Sequence, residues 1–288
     1  MSDRLTVNKT YKLYIKGQFP RTESGRYTKV LDKNDHFVGN ACLSSRKDLR
    51  DAVTAAREAF SGWSSKSAFN RSQILYRIAE MLESRKEQFI EELMLTGQSK
   101  KDAQKEVIAS IERLIHYAGW ADKYSAVFSS VNPVASSHFD FSIPVAQGVV
   151  GIICPKEYPL IGFVTLTSIA ICGGNTVVAI ASEKNPFVAS SFGEVLNSSD
   201  VPAGVINILT GDYTELMPHM AGHMDINTLI YAHEDTSLAK EAQILGAENL
   251  KRVRFYEDID WLDDEDAESP YLIMDTQEVQ TTWHPIGV

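Results

Sequence analysis

The chain has 288 residues, of which 44% are hydrophobic and 23% charged, and its formal net charge is −10. Such a composition is typical of a globular protein with one large domain or two smaller ones. The acidic balance argues against a nucleic-acid partner, because phosphate binding needs a surplus of Lys and Arg. No basic, apolar leader and no apolar run near the ~20 residues of a membrane span is found, so no membrane partner is expected.

Three cysteines are present, Cys42, Cys154 and Cys172. They are too few and too scattered for a disulfide framework or a zinc site, so no metal is predicted. Free thiols favour a reducing compartment, and the expected location is the cytoplasm. Cys154 falls in an apolar strand with no base near it in sequence, which is typical of a buried structural cysteine.

The first part of the chain predicts a strand followed by helices. Residues 11–19 are strand-like, and a turn-rich stretch follows them. In residues 46–60 apolar positions recur at helical spacing, with a preceding serine as N-cap. Longer amphipathic helices are predicted over 70–96 and 101–124. We interpret these helices as an outer layer.

The second part changes to short apolar runs that alternate with helical segments. Residues 134–150 predict a hairpin, with alternating residues, a proline and then a glycine. From Gly148 onward, strand and helix patterns alternate, which predicts βαβ units. The fold class is therefore α/β, a doubly wound, Rossmann-like parallel sheet of five strands. The predicted strands are GVVGIIC, NTVVAI, GVINIL, NTLIYA and KRVRFY.

Two further segments follow the last of these strands. Residues 257–268 (EDIDWLDDEDAE) are strongly acidic and predict a solvated linker. Residues 270–288 contain EVQTTW, which alternates and predicts a terminal strand with no βαβ partner of its own. Such a strand needs pairing, often from another subunit.

Several stretches between Tyr11 and Tyr256 together resemble the aldehyde dehydrogenase superfamily. They are YAGWADKY, GVVGIICPKEYPL, GNTVVAIASE, VPAGVINILTG and ENLKRV, in the family's order and spacing. The closing EVQTTWHPIG is similar to the family's C-terminal strand, which completes an oligomerisation sheet with a hairpin like 134–150. The opening KTYKLYI is similar to the degenerate C-terminal halves of two-unit aldehyde dehydrogenases of family 16, which lack the catalytic domain.

The resemblance implies a chain organised in five parts, from which one domain has been lost. The family's Cys-bearing catalytic domain, ~200 residues, would stand between KRVRFY and the tail, where only the acidic stretch is found. This stretch could cover part of the surface that the lost domain leaves exposed. The implied parts are 1–133, a strand and helices packing on the coenzyme-type domain; 134–150, an oligomerisation hairpin; 148–256, a Rossmann-like NAD-type domain; 257–269, an acidic linker; and 270–288, an oligomerisation strand.

The family's catalytic groups are missing from the matching positions, so no catalytic residue is predicted. None of the three cysteines occupies the nucleophile's position. The oxyanion-donating Asn is matched by Glu157, which at neutral pH only accepts hydrogen bonds. Loss of one oxyanion donor costs ~2.7–4 kcal/mol of transition-state stabilisation. The base Glu is matched by Tyr256, and Glu257 lies one residue further, facing the other side of a strand.

The cofactor site implied by the resemblance is also altered. Ile180 stands where a Lys would hold the adenosine ribose, while Glu183 is retained. His233 and Glu234 replace the Gly-Ser that cradles the pyrophosphate, and Leu238 replaces a second Gly, so a negative charge stands where phosphate would bind. No cofactor is expected, or NAD or NADP only weakly. The vestigial cofactor-binding positions are Ile153, Pro155, Glu183 and Gly211.

Plainer interpretations of these residues stay open. Glu157 is either a new general base with a shifted pKa or an ordinary solvated carboxylate. Glu183 is either a vestigial ribose ligand or a charge near the start of a helix. A metal site formed by His233 and Glu234 would need further ligands, and the sequence offers none at a suitable spacing.

Four functions are left open by the sequence. The first is a catalytically inactive family member that acts by forming a homodimer or higher oligomer, or by docking on a full-length aldehyde dehydrogenase. The second is an NAD(P)-dependent aldehyde dehydrogenase with a nucleophile from another chain. The third is a dinucleotide sensor. The fourth is a decaying duplicate, against which the preserved apolar periodicity argues.

Overall fold

The structure, a computed structural model, describes residues 9–287. In chain order its strands are β1 Tyr27–Leu31, β2 Phe37–Cys42, β3 Ser130–Asn132, β4 His138–Ala146, β5 Val149–Ile153, β6 Thr176–Ile180, β7 Ile206–Leu209, β8 Thr228–Tyr231, β9 Arg252–Phe255 and β10 Gln277–Pro285. Its helices are α1 Arg46–Ser64, α2 Ala68–Glu83, α3 Lys86–Leu95, α4 Lys100–Trp120, α5 Tyr124–Phe128, α6 Ile161–Cys172, α7 Pro186–Asn197, α8 Tyr213–Ala221, α9 Ala239–Ala247, α10 Asp264–Ala267 and α11 Tyr271–Met274.

A parallel five-stranded sheet forms the centre of the molecule, with strand order β7-β6-β5-β8-β9. Every residue of β5, β6, β7 and β8 is buried, because helices cover both faces of the sheet. Two buried apolar clusters result, a larger one that includes α2, α4 and α6 and a smaller one that includes α1 and α8. The predicted doubly wound sheet and its five strands are confirmed.

The helical layer begins with α1, whose start is fixed by a capping box. The Asp48 N–H donates to Ser45 Oγ, and the Ser45 N–H donates to the Asp48 carboxylate. The prediction of one helix over 70–96 is wrong, because the chain leaves helical geometry at Arg85 and restarts as α3. The helix predicted over 101–124 ends at Trp120. Within residues 9–287, no helix is long and apolar enough to cross a membrane.

The strand predicted over residues 11–19 is not formed. The chain reverses at Lys16 and Gly17, which both have positive φ angles of 52° and 71°. Only isolated bridges remain, and in one of them Tyr14 exchanges hydrogen bonds with Ile208 at the outer edge of β7. The turn-rich stretch that follows contains an antiparallel pair, β1 and β2, which was not predicted.

A second sheet, with order β10-β4-β3, stands beside the parallel one, and we call it the flap sheet. The hairpin predicted over 134–150 is wrong in its bounds, because β3 precedes it and Val149 already belongs to β5. The resemblance predicted that the terminal strand completes a sheet with the hairpin of residues 134–150, and this pairing is confirmed within the chain. β10 pairs with β4 along its whole length, from Gln277 opposite Ala146 to Pro285 opposite His138.

Residues 257–268, which we call the acidic segment, are not a solvated linker. Trp261 and Ala267 are buried, and α10 ends the segment. A buried cation in α4 holds the segment in place. The Arg113 guanidinium donates hydrogen bonds to the backbone oxygens of Trp261 and Ala267. The segment therefore packs against the helical layer.

Candidate functional site

The carboxyl ends of β5, β6 and β8 meet at one edge of the parallel sheet. Strand order reverses between β5 and β8, and ligands of doubly wound sheets bind at such a reversal. Six side chains from the loops after these strands gather there, and we call them the carboxyl-end cluster. They are Lys156, Glu157, Glu183, Lys184, His233 and Glu234.

The predicted cofactor-binding residues lie at strand ends, but not all in the same place. Ile153 is the buried last residue of β5, and Pro155 follows it and packs against Gly162 of α6. Glu183 lies in the carboxyl-end cluster. Gly211 follows β7, has a φ of +140° and lies close to the backbone of Ser44 instead.

Glu234 joins two of these loops. Its carboxylate accepts the Lys156 N–H at 2.7 Å and the Glu157 N–H at 3.0 Å. Two consecutive backbone amides that point at one acceptor form an anion-binding concavity. The sequence indicated a negative charge at this position, but it gave no sign that the charge binds the loop after β5.

The other charges of the cluster are largely paired with one another. Lys156 Nζ lies 3.4 Å from Glu183 Oε1, and Lys184 pairs with Glu157. Glu157 is therefore an ion-paired carboxylate at the surface. Its contacts give no support to the interpretation as a general base.

His233 is almost fully buried, with 5% of its surface exposed, and it stacks on Tyr213 with ring centroids 4.0 Å apart. Its Nδ1 accepts the Asp235 N–H, so the neutral ring carries its proton on Nε2. That Nε2 has no hydrogen-bond partner among residues 9–287 and lies 3.8 Å from Glu183 Oε1.

Tyr213 closes the side of the cluster behind His233. Its hydroxyl donates to Asp235 Oδ2 at 2.6 Å. This hydrogen bond, together with those from Ser237, lowers the pKa of Asp235 to about 2, while burial and the neighbouring carboxylate raise the pKa of Tyr213. Asp235 therefore stays ionised at neutral pH.

The start of α6 is occupied by another internal carboxylate. Glu106 of α4 is buried and accepts the N–H groups of Leu160 and Ile161, at 2.8 Å and 3.1 Å. Burial raises the pKa of Glu106, against these hydrogen bonds and that from Gln98. A helix start that could bind an external anion is thus already satisfied by the chain itself.

No exposed thiol stands near the cluster, since all three cysteines are buried. Burial raises the pKa of the Cys154 thiol and raises that of Cys172 to about 12. The hydroxyl of Tyr256, the residue that the resemblance matches to the family's base, donates to Asp275 at 2.7 Å. Residues 9–287 contain no group of three or more His, Cys, Asp or Glu arranged to hold a metal ion.

A surface cavity of about 640 Å³ lies elsewhere in the molecule. Arg46, Arg50, His219 and His223 are among the residues that line it. It shares no residue with the carboxyl-end cluster, so the edge where the sheet reverses remains the candidate site on topological grounds.

The doubly wound sheet, with polar loops at the reversal of strand order, defines a protein of the doubly wound α/β class. The family model described as the aldehyde dehydrogenase family matches residues 20–255, which end with β9. The chain belongs to the aldehyde dehydrogenase family.

Known relatives are longer than this chain. It is 30% identical over 233 residues to cytosolic 10-formyltetrahydrofolate dehydrogenase of Xenopus tropicalis, covering 79% of this chain and 26% of that protein. It is 28% identical to omega-crystallin of Enteroctopus dofleini, and the match covers 84% of this chain and 49% of that protein. The structure of PnpE from Pseudomonas sp. WBC-3, solved in complex with nicotinamide adenine dinucleotide, is also similar, with 26% sequence identity and a TM-score of 0.81. The match covers 85% of this chain and 50% of PnpE. The chain thus spans between a quarter and half the length of these proteins.

Proposed function

We propose that this protein is a non-catalytic member of the aldehyde dehydrogenase family that acts by association. Its flap sheet would pair with a second copy of the chain or dock on a full-length aldehyde dehydrogenase. Three buried free thiols support a reducing, cytoplasmic setting. The observation that carries the proposal is the exposed apolar surface and the free edge of the flap sheet.

Four large and exposed apolar side chains lie on the flap sheet, and they are Val131, Phe139, Val279 and Trp283. On one face, Val131 pairs with Phe141, and the Phe141 ring lies 5.6 Å from that of Phe139. On the other face, Val279 and Trp283 of β10 are each more than half exposed. Large apolar groups gathered on a small sheet mark interaction surfaces in soluble proteins.

The sheet also ends in a free strand edge. β10 is the outermost strand, and within residues 9–287 its second edge has no strand partner over nine residues. A long unpaired edge offers backbone donors and acceptors for strand addition by another chain. Both features suit pairing between identical copies.

The test is the mass of the full chain in solution, measured by light scattering during size exclusion. We expect a dimer or larger species for the natural chain, and a monomer for the double variant Val131→Asp, Phe139→Asp. Phe69→Asp changes a similarly exposed aromatic residue on α2 and should leave the mass unchanged. If the natural chain is a monomer and also fails to bind a full-length aldehyde dehydrogenase, the proposal is wrong.

The absence of catalysis is supported by the burial of Cys154 and Cys172 and by the carboxylate of Glu157 where the family has an amide donor. We expect no reduction of NAD or NADP when the chain is mixed with a panel of aldehydes. Aldehyde-dependent hydride transfer by the isolated chain would contradict this part of the proposal.

A second candidate is binding of a dinucleotide without turnover by the chain alone. It is favoured by the similarity to PnpE in its complex with nicotinamide adenine dinucleotide and by the retained Glu183. Catalysis in this case would need a nucleophile from a partner chain. Calorimetric titration with NAD and NADP separates the candidates, and micromolar affinity would favour a sensor or a partner-assisted dehydrogenase.

A further inference from the structure

We infer that the cavity between α1 and α8 binds a small anion that carries two or more negative charges. We call it the α1–α8 cavity, and its polar lining is Arg46, Lys47, Arg50, His219 and His223. Its volume of about 640 Å³ lies within the range of ligand pockets, roughly 300–1,000 Å³. The inference goes beyond the proposed function, because it concerns a ligand and does not depend on assembly.

The first argument is the charge of the lining. Every polar side chain of the cavity is basic, in a chain whose formal net charge is −10. No Asp or Glu within residues 9–287 lines it. Arg46 and Arg50 are four residues apart on α1 and therefore lie on the same face of the helix. Two neighbouring guanidinium groups suit the bidentate binding of carboxylate or phosphate groups.

These cations are only partly neutralised by the protein. Lys47 Nζ lies 3.1 Å from a carboxylate oxygen of Glu23, and Arg50 pairs with its sequence neighbour Asp51 at 3.2 Å. Both pairs are exposed and therefore weak. Arg46 forms no ion pair within the part of the chain that the structure describes. The cavity therefore keeps a positive potential that an anion can use.

The second argument is the position of the cations on α1. Arg46 and Lys47 are the first two residues of this helix of 19 residues, where the macrodipole presents its positive end. Cations are unfavourable there, whereas an anion is attracted by the dipole and the side chains together. The end of α8 contributes a dipole of opposite sign, about half an elementary charge, which the three Arg and Lys side chains outweigh. A local rule broken without a gain for the fold is typical of a functional position.

The third argument is the surroundings of His223. Lys251 is buried, its ammonium donates to the His223 carbonyl oxygen at 2.6 Å, and burial lowers its pKa to about 8. Burial also lowers the pKa of His223, and Asp225 opposes this effect. The cations Lys251, Arg46 and Arg57 lower it further. The Asp225 N–H donates to His223 Nδ1, so the neutral ring carries its proton on Nε2 and can donate it to a ligand.

The experiment is calorimetric titration of the full chain with citrate at low ionic strength. We expect saturable binding, and at least about tenfold weaker binding by the double variant Arg46→Gln, Arg50→Gln. The control is Arg77→Gln, Lys86→Gln, which removes two exposed cations from α2 and α3 and should leave the affinity unchanged. Equal losses in the two double variants would show that only the overall charge matters and would overturn the inference.

The imidazole signals of His223 show where the anion binds. An anion in the α1–α8 cavity should raise the pKa of His223, because it offsets the effect of the surrounding cations. NMR titration with and without citrate measures this change, and the signals are assigned from their loss in His223→Gln. Binding of citrate without any change at His223 would place the anion elsewhere, and the inference would be wrong.

Urea unfolding separates loss of the site from loss of the fold. Because cations are unfavourable at the start of α1, the variant Arg46→Gln, Arg50→Gln should unfold at the same or a higher urea concentration than the natural chain. Arg46→Lys, Arg50→Lys is a second variant that keeps both charges but loses the bidentate geometry. It should bind citrate more weakly than the natural chain and more tightly than the glutamine variant.

A parallel titration with inorganic phosphate distinguishes the kind of anion. Tighter binding of citrate indicates a ligand with several carboxylates, tighter binding of phosphate indicates a phosphorylated ligand, and either supports the inference. If the natural chain binds neither anion, the inference fails. The mass in solution should not change with Arg46→Gln, Arg50→Gln, so this inference and the proposed function can fail separately.

Discussion

Arg113 of α4 and Glu268 of the acidic segment form an ion pair, with Arg113 Nε 3.3 Å from Glu268 Oε1. The Arg113 side chain is fully buried, so its charge depends on the partners that the protein supplies. The acidic segment supplies most of these partners, including two backbone oxygens, and Thr165 supplies another. The arginine therefore fixes the short connection between β9 and β10 to the helical layer.

Replacing this arginine should destabilise the fold. Arg113→Leu leaves the acceptors of the acidic segment without their donor, and we expect the free energy of unfolding to fall by about 3 kcal/mol. The measurement is equilibrium unfolding in urea at neutral pH. Arg77→Leu, which removes an exposed arginine paired with Glu80, should change the free energy by less than about 1 kcal/mol. Equal effects of the two substitutions would show that the acidic segment is not held by Arg113.

The capping box of α1 should give stability a specific pH dependence. Burial raises the pKa of Asp48, but hydrogen bonds from Ser45, Thr22 and the Glu23 N–H outweigh it, and the net pKa is lowered. The stabilisation is therefore complete above the ordinary Asp pKa of about 4 and is lost as the pH falls through the lower folded value. Asp48→Asn should cost about 1–2 kcal/mol at pH 7 and progressively less below pH 4.

Urea unfolding at pH 7 and at pH 3 measures this difference. Asp51→Asn, three residues further along α1, removes an exposed carboxylate paired with its neighbour Arg50. Its effect should stay within about 0.5 kcal/mol at both pH values. A cost for Asp48→Asn that does not depend on pH would contradict the lowered pKa.

The central sheet was predictable because its signal is local. Each strand from β5 to β8 is a short, wholly buried apolar run, and the sequence shows such runs without knowledge of their neighbours. The break at Arg85 could not be predicted in the same way. The apolar periodicity continues through it from α2 to α3, and the pattern therefore resembles one helix.

The sequence analysis missed contacts of the acidic segment and of the candidate site for the same reason. Acidic residues predict solvent exposure unless a buried cation from elsewhere attracts the segment, and Arg113 lies far away in sequence. In the same way, Glu234 could be recognised as a charge where phosphate would bind. Its hydrogen bonds to Lys156 and Glu157 depend on the meeting of two strand ends, which only the folded sheet brings together.

Burial of the thiols should make the folded chain resistant to thiol reagents. Cys42, Cys154 and Cys172 are each less than a tenth exposed, and burial raises the pKa of Cys154 and Cys172, so little reactive thiolate is present. We expect iodoacetamide at pH 8 to modify none of the three in the native chain and all three in urea. Mass spectrometry of the digested protein measures this. Rapid modification of Cys154 under native conditions would contradict both the burial and the proposed absence of catalysis.

Gly211 was predicted as a vestige of cofactor binding, and the structure offers a different reason for a glycine there. Its φ of +140° lies outside the range of ordinary side chains, and a Cβ atom would lie 2.9 Å from the Ser44 backbone nitrogen. Gly211→Ala should therefore lower the free energy of unfolding by about 1–3 kcal/mol without any ligand. Gly62→Ala, inside α1 where a Cβ meets nothing within 4 Å, should instead stabilise the chain by up to about 1 kcal/mol. If Gly211→Ala leaves the unfolding unchanged and alters only dinucleotide binding, the glycine serves the cofactor site and not the backbone geometry.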